Sequence, residues 1–295
     1  MKNLLKDNNL IYKVPLFSTL FAALVCIPLR VYQYCKLINP TTGFYDDKNL
    51  SIPVVYAVLV ISVAVCLIFS YVKHKSIKPV SINYSNKGLA AVSLIMALGV
   101  AVDTFGILSD YLALFSSSNG SYISVAEYAS AQGGTIMLAQ VITGALSAVY
   151  FIVSGLASFN KVLLPKLKLF TILPVIWCIF RLLFRFRRTI SFVNVSDLLL
   201  ELFAIVFAMT FFLALAQVIA DIDANTVFWK LFAYGFPAVM LNLVCFLPRL
   251  ILIITGNSTQ LNPLYTANFC DLTFAVYATY ICITAVKAKA AANED

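Results

Sequence analysis

"RLLFRFRRTISFVNVSDLLLELF" runs from Arg181 to Phe203. Four arginines fall in its first eight residues, and Asp197 and Glu201, one helical turn apart, follow. Long apolar runs flank the stretch on both sides. A helix needs about 20 predominantly apolar residues to cross roughly 30 Å of hydrocarbon. The stretch therefore reads as the end of one membrane span, a short charged connection and the start of the next.

The rest of the chain agrees. Of 295 residues, 61% are hydrophobic and 12% charged, against about 25% charged in ordinary soluble domains. The mean hydropathy is +0.92. The fold class expected is an all-α integral membrane protein, a single polytopic domain over 1–295. Eight spans are read at about 14–37, 52–72, 88–115, 134–158, 168–184, 193–220, 229–255 and 264–286, the fifth being the shortest. No small-x-small site follows the first apolar run, so no secretory signal peptide is expected. The seven cysteines lie in or beside apolar runs without a C-x-x-C pair, which reads as buried packing.

Orientation follows from the lysines. With the N-terminus in the cytoplasm, 13 of the 15 lysines face the cytoplasm, and all six arginines lie outside or within spans. The positive-inside rule favours this arrangement, and an even number of spans returns the C-terminus to the cytoplasm. The formal charge of +8 then sits against the cytoplasmic leaflet, where anionic lipid accounts for it; no nucleic-acid partner is implied. The short loops suggest a bacterial inner membrane.

The arginines are the informative part. Arg30, Arg181 and Arg249 lie within spans, near the outer end at about 1.5 Å per residue. Asp197, Glu201 and Asp271 enter from the outer side, and Asp110 reaches the same layer on the third span. A lone charge at the bilayer centre costs about 2.5–3.5 kcal/mol even on lenient scales, so these groups should face one another or water. Arg181 and Arg249 are expected to find partners among Asp110, Asp197, Glu201 and Asp271. Asp103 is the acid nearest the midplane, with Arg30 as a nearby arginine to set against it, and is a candidate for holding a coupling ion. Gly99, Asp103, Gly106 and Asp110 share one helical face. On the fourth span Gly144, Ser147, Ala148, Gly155 and Ser158 form a small-residue seam suited to close helix packing.

Weak internal echoes suggest four helical hairpins. "VCIPLR" ends at Arg30, "VCFLPR" at Arg249 and "CIFR" at Arg181; "NVSDL" (194–198) is echoed by "NFCDL" (268–272). Internal repeats are common in membrane transport folds.

Much chemistry is absent from the sequence. His74 is the one histidine and lies in an inner loop among lysines; its place speaks against a His-based triad, and its being single excludes a multi-histidine metal site within one chain. There is no P-loop or G-x-G-x-x-G, and no cofactor is expected. The reading reached is a small transporter with an outward-facing polar site, taking a small anionic solute. Arg30, Asp103, Asp110, Arg181, Asp197, Glu201, Arg249 and Asp271 line its pathway. Two alternatives stand beside it: a membrane enzyme acting on a lipid-linked or phosphorylated head group, and a non-catalytic sensor or scaffold in which every charge is structural. A closed charged layer favours the scaffold, a midplane cavity transport, and a lateral opening to lipid an enzyme.

Overall fold

The computed structural model describes residues 10–40, 45, 49–74, 86–117, 133–160, 165–187, 195–220, 222, 224–261 and 267–291. Lys2, Lys6, Lys48, Lys75, Lys78, Lys161 and Arg188, on which part of the orientation rests, lie outside these residues. So do most of the loop 116–133, part of 38–51, and 188–192.

The described chain is a bundle of eight α-helices: α1 (Leu10–Lys36), α2 (Ser51–Val72), α3 (Lys87–Ser117), α4 (Gly134–Phe159), α5 (Leu173–Arg187), α6 (Val195–Ala220), α7 (Ala224–Ile254) and α8 (Phe269–Ala291). Seven helical stretches are long and apolar enough to cross a membrane, and Phe269–Ala285 of α8 is a shorter apolar helix. The chain is a multi-pass α-helical membrane protein. The fifth span is where the reading by residue count is least accurate. Its first part, Pro165–Ile172, is wound as a 3-10 helix, and the α-helix begins only at Leu173, beside Pro174. Pro at the first turn costs no hydrogen bond, which fits an α-helix starting there. Lys168 Nζ donates to the carbonyl of Ala220 at 3.3 Å, tying this piece to the last residue of α6.

Helix α7 is the centre of the bundle. It packs against α1, α2, α6 and α8, and two thirds of its best apolar window is buried. Its Phe232, Ala233, Phe236, Ala238 and Met240 are wholly buried. On α1 to α4 the large apolar side chains Phe17, Leu24, Val60, Ile68, Leu98, Phe105, Ile142 and Val149 point outward. In water such a surface would associate, but in lipid it is the solvated face. An aromatic cluster joins α4, α6 and α8: Phe151 meets Phe212 and Tyr277 at 5.8 and 5.4 Å, and Phe274 meets Phe211 and Phe212 at 5.8 and 5.4 Å. Tilted and edge-on ring pairs at these separations add stabilisation beyond area burial. Six of the seven cysteines are buried and Cys35 is half-buried; all are unpaired thiols.

Neighbouring helices in sequence pack as pairs, α1 with α2, α3 with α4, α5 with α6 and α7 with α8. This is the spatial arrangement that four hairpins require, without testing whether they are duplicates. The seam on α4 meets α3 and α5. A Cβ at Gly144 would overlap Thr104 and stand 3.3 Å from Trp177, and one at Gly155 would stand 3.1 Å from the Ala90 carbonyl. Close approach of small residues is the usual device for packing helices in lipid, where the hydrophobic effect supplies no force between them.

The stripe on α3 divides. A Cβ at Gly99 would overlap the Thr273 side chain of α8, whereas nothing lies within 4 Å of one at Gly106. Overpacking costs about 1–3 kcal/mol, while Gly→Ala in an open helical position gains up to about 1 kcal/mol. Gly99→Leu is therefore expected to lower the melting temperature of the detergent-purified protein clearly, and Gly106→Ala to leave it unchanged or raise it. Equal effects at the two positions would contradict the α3–α8 contact.

Candidate functional site: a buried layer of paired charges

The layer lies at the end of the bundle where α1, α5 and α7 finish and α6 and α8 begin. Helix polarity helps to place its signs. Asp197 and Asp271 fall in the first turns of α6 and α8, where the unpaired N–H groups of a helix N-terminus favour negative charge. Asn268 precedes α8 and its Oδ1 accepts from the Cys270 N–H at 2.9 Å, a capping interaction that fixes where the helix starts. Pro28 and Pro248 lie inside α1 and α7, two residues and one residue before Arg30 and Arg249. Proline removes one hydrogen bond from the helical ladder, and such breaks are tolerated in membranes beside protein polar groups rather than lipid.

The largest part of the layer joins α1, α5, α6 and α7. Arg30 forms an ion pair with Asp197 through Nη2. The same nitrogen donates to the Tyr34 hydroxyl at 3.1 Å, and Nη1 donates to Gln33 Oε1 at 3.1 Å and to the Tyr45 hydroxyl at 2.9 Å. The Tyr34 hydroxyl donates onward to Asp197 Oδ2 at 3.0 Å and accepts from Arg249 Nε at 3.4 Å. Its one donor and two acceptor positions are thus filled. Arg249 Nη1 donates to Glu201 Oε1 at 2.5 Å, and its Nη2 stands 3.9 Å from Asp197 Oδ2. Arg185 approaches the other oxygen of Glu201 at 3.4 Å.

A second part joins α3, α5 and α8. Arg181 Nη2 donates to Asp271 Oδ1 at 2.7 Å, and its guanidinium lies 5.5 Å from the centre of the Trp177 ring. Asn268 Nδ2 donates to Asp103 Oδ1 at 2.5 Å. Between the two parts is a gap of about 10 Å³ lined by Arg181, Arg185, Glu201, Asn242, Cys245 and Asp271, among others. That is about the smallest space that holds one water.

Arg30, Arg181, Arg249, Asp197, Glu201 and Asp271 are all buried and joined as expected. The expected partners of Arg181 and Arg249 are found in Asp271 and Glu201. Arg30 has Asp197 as its carboxylate partner, and Asp103 is bonded by Asn268. One placement differs from expectation. Asp110 is exposed, two turns beyond Asp103 on α3, outside the buried layer. Arg185, one of the arginines of the opening stretch that the sequence offers as a partner for Asp197 and Glu201, pairs with Glu201; Tyr34, Gln33, Tyr45 and Asn268 also belong to the site and are not among the residues expected there. Gln33 and Tyr34 had a legible signal, since they stand three and four residues after Arg30 on one helical face. Tyr45, in a connection, had none.

The network is incomplete. Arg30 Nε, Asp103 Oδ2 and Glu201 Oε2 are out of solvent contact without a hydrogen-bond partner among the described residues; Glu201 Oε2 keeps its ion pair with Arg185. No protein-family model, no curated protein and no solved structure matches the chain.

Removing one partner of a buried ion pair typically costs about 3–5 kcal/mol, because the other charge stays buried. Arg249→Ala leaves both Asp197 and Glu201 short of a cation. It is expected to lower the unfolding midpoint in a detergent titration sharply, and Arg249→Met combined with Glu201→Gln to recover part of the loss. An unchanged midpoint for Arg249→Ala would contradict the pairing described.

Proposed function

We propose that this multi-pass membrane protein is a small-solute transporter whose polar site, lined by arginine and acidic residues, is held shut by those residues pairing with one another. The observation that carries the reading is the incomplete satisfaction of the buried layer. Ion pairs are not needed merely to hold helices together, since apolar residues of similar volume often do so as well or better. A layer kept for structure alone gains nothing from leaving buried carboxylate and guanidinium atoms without hydrogen bonds, each such omission costing about 1–3 kcal/mol or more. Ionisable groups gathered inside a membrane bundle mark solute or ion pathways by default. The shortest carboxylate contact of Arg185, 3.4 Å, is longer than the shortest contact of Arg30, Arg181 or Arg249, and Arg185 is the most exposed of the four, with 15% of its side chain accessible; it is the natural point of opening. The residues assigned to the pathway are Arg30, Asp103, Arg181, Asp197, Glu201, Arg249 and Asp271, with Asp110 toward the rim.

The orientation that accompanies this reading puts both termini in the cytoplasm of a bacterial cell and the charged layer toward the outside. The lysine asymmetry supports it, with anionic lipid as the partner of the cytoplasmic face.

A second reading, a sensor or scaffold whose charges are all structural, is favoured by a different observation. The layer is closed down to a gap of about 10 Å³, and its four arginines are matched by four carboxylates. The enzyme reading has less behind it: a lateral groove of about 390 Å³ between α2 and α6 over Leu241 is lined by Tyr56 and aliphatic or phenylalanine side chains, with no carboxylate or arginine among them.

Reconstitution separates the two leading readings. Proteoliposomes carrying the purified protein are expected to accumulate at least one solute from a panel of small carboxylates, amino acids and phosphate, above protein-free liposomes. Absence of uptake across the panel by well-folded protein would favour the scaffold.

A further inference from the structure

The gap of about 10 Å³ in the charged layer is bordered by members of both parts. Arg181 and Asp271, paired between α5 and α8, line it on one side. Arg185 and Glu201, paired between α5 and α6, line it on the other. Asn242 of the central α7 adds a polar side chain to the wall.

Glu201 is the member of this wall that lacks a bond. It is 5% exposed. Its Oε1 accepts from Arg249 Nη1 at 2.5 Å. Its Oε2 is out of solvent contact and has no hydrogen-bond partner among the described residues, Arg185 Nε standing at ion-pair distance, 3.4 Å. Asn242 is also buried. Its Nδ2 donates to the Ala238 carbonyl one turn back at 2.7 Å, which leaves its amide oxygen to accept. A buried acceptor without a donor is costly, and the space beside this one has the size of a single water.

We propose that the gap is a binding site for one water molecule, which donates to Glu201 Oε2 and bridges it to the Arg181–Asp271 pair. The second O–H of the water goes to an oxygen of Asp271 or Asn242, and its own oxygen accepts from Arg181 or Arg185. That makes three hydrogen bonds, the usual number for a buried water. The lining selects against an ion. A cation would meet the guanidiniums of Arg181 and Arg185, and an anion the carboxylates of Glu201 and Asp271, each without its hydration shell. A neutral occupant that both donates and accepts meets neither objection. The bridge joins the Arg249–Glu201 pair to the Arg181–Asp271 pair, so that α5, α6, α7 and α8 share one hydrogen-bonded unit. It does not depend on the transport reading. Arg30 Nε and Asp103 Oδ2, the other unsatisfied atoms behind that reading, belong to residues that do not line this gap.

Crystals of the purified full-length protein, at a resolution that shows ordered water, test the site directly. One density peak is expected in the gap, about 2.5–3.0 Å from Glu201 Oε2 and within hydrogen-bond reach of Arg181 or Arg185. A gap without a peak, or side chains closed over it, would overturn the proposal. So would an anomalous signal at that position from bromide or rubidium in the crystallisation medium, which would place an ion there. Thermal unfolding gives a second measurement. Ala204 is buried, lines the gap and stands three residues after Glu201 on α6. Ala204→Val puts apolar volume where the water is placed and leaves Glu201 Oε2 without a donor. The variant is expected to lose the density peak and to melt about 2–4 °C lower. A dry gap would respond in the opposite way, since filling a cavity stabilises. An unchanged or raised melting temperature for Ala204→Val would therefore count against the water.

Discussion

A charged side chain inside a bilayer has no water to solvate it, so it must find opposite charge within the protein. The pairing of Arg30, Arg181 and Arg249 with Asp197, Asp271 and Glu201 is the consequence, and much of the bundle's arrangement depends on it. None of these pairs lies within one helix. Each ties the end of one helix to the start of another, and Arg249 on the central α7 touches carboxylates at two positions of α6. The helices are therefore fixed in depth and rotation where the polar atoms meet. Apolar and small-residue packing fills the rest.

The partition of roles along α7 follows. Toward its start the helix is wrapped by phenylalanines and alanines that need only shape. Toward its end the same helix carries Cys245, Pro248 and Arg249 into the charged layer. Packing density gives the first part its position, and ionic geometry gives the second part its register. A bundle held in this way has an apolar half placed by packing and a polar half placed by ionic pairing. Arg249 already stands between two acids, Glu201 lies between two arginines, and the gap beside them is large enough for a single water.

Depth was legible in the sequence and rotation was not. Counting residues from the ends of apolar runs placed Arg30, Arg181, Arg249, Asp197, Glu201 and Asp271 in one layer, because a helix rises by a fixed amount per residue. Which arginine meets which acid depends on the face each helix turns inward. That face is marked in soluble proteins by hydrophobic contrast, but in lipid both faces are apolar and the mark is faint. This is why residue count leaves open which arginine stands nearest Asp103, and why it does not reveal that Asp110 is exposed. The 3-10 opening of the fifth span is not legible in the sequence because hydropathy registers composition, not winding. Tyr45 was hidden because a connection carries no periodicity.

The account's central claim is that charges buried at this depth exist as mutually dependent pairs between helices. A double-mutant cycle on Arg30 and Asp197 tests it most directly, with Arg30→Ala, Asp197→Ala and the double variant compared by unfolding in detergent. Residues in one ion-pair network show coupling energies of about 0.5–3 kcal/mol, and a pair this deeply buried is predicted to lie in the upper half of that range, the double variant being less destabilised than the sum of the single ones. Strictly additive losses would mean that the two groups act independently, and would contradict the paired layer on which the account stands.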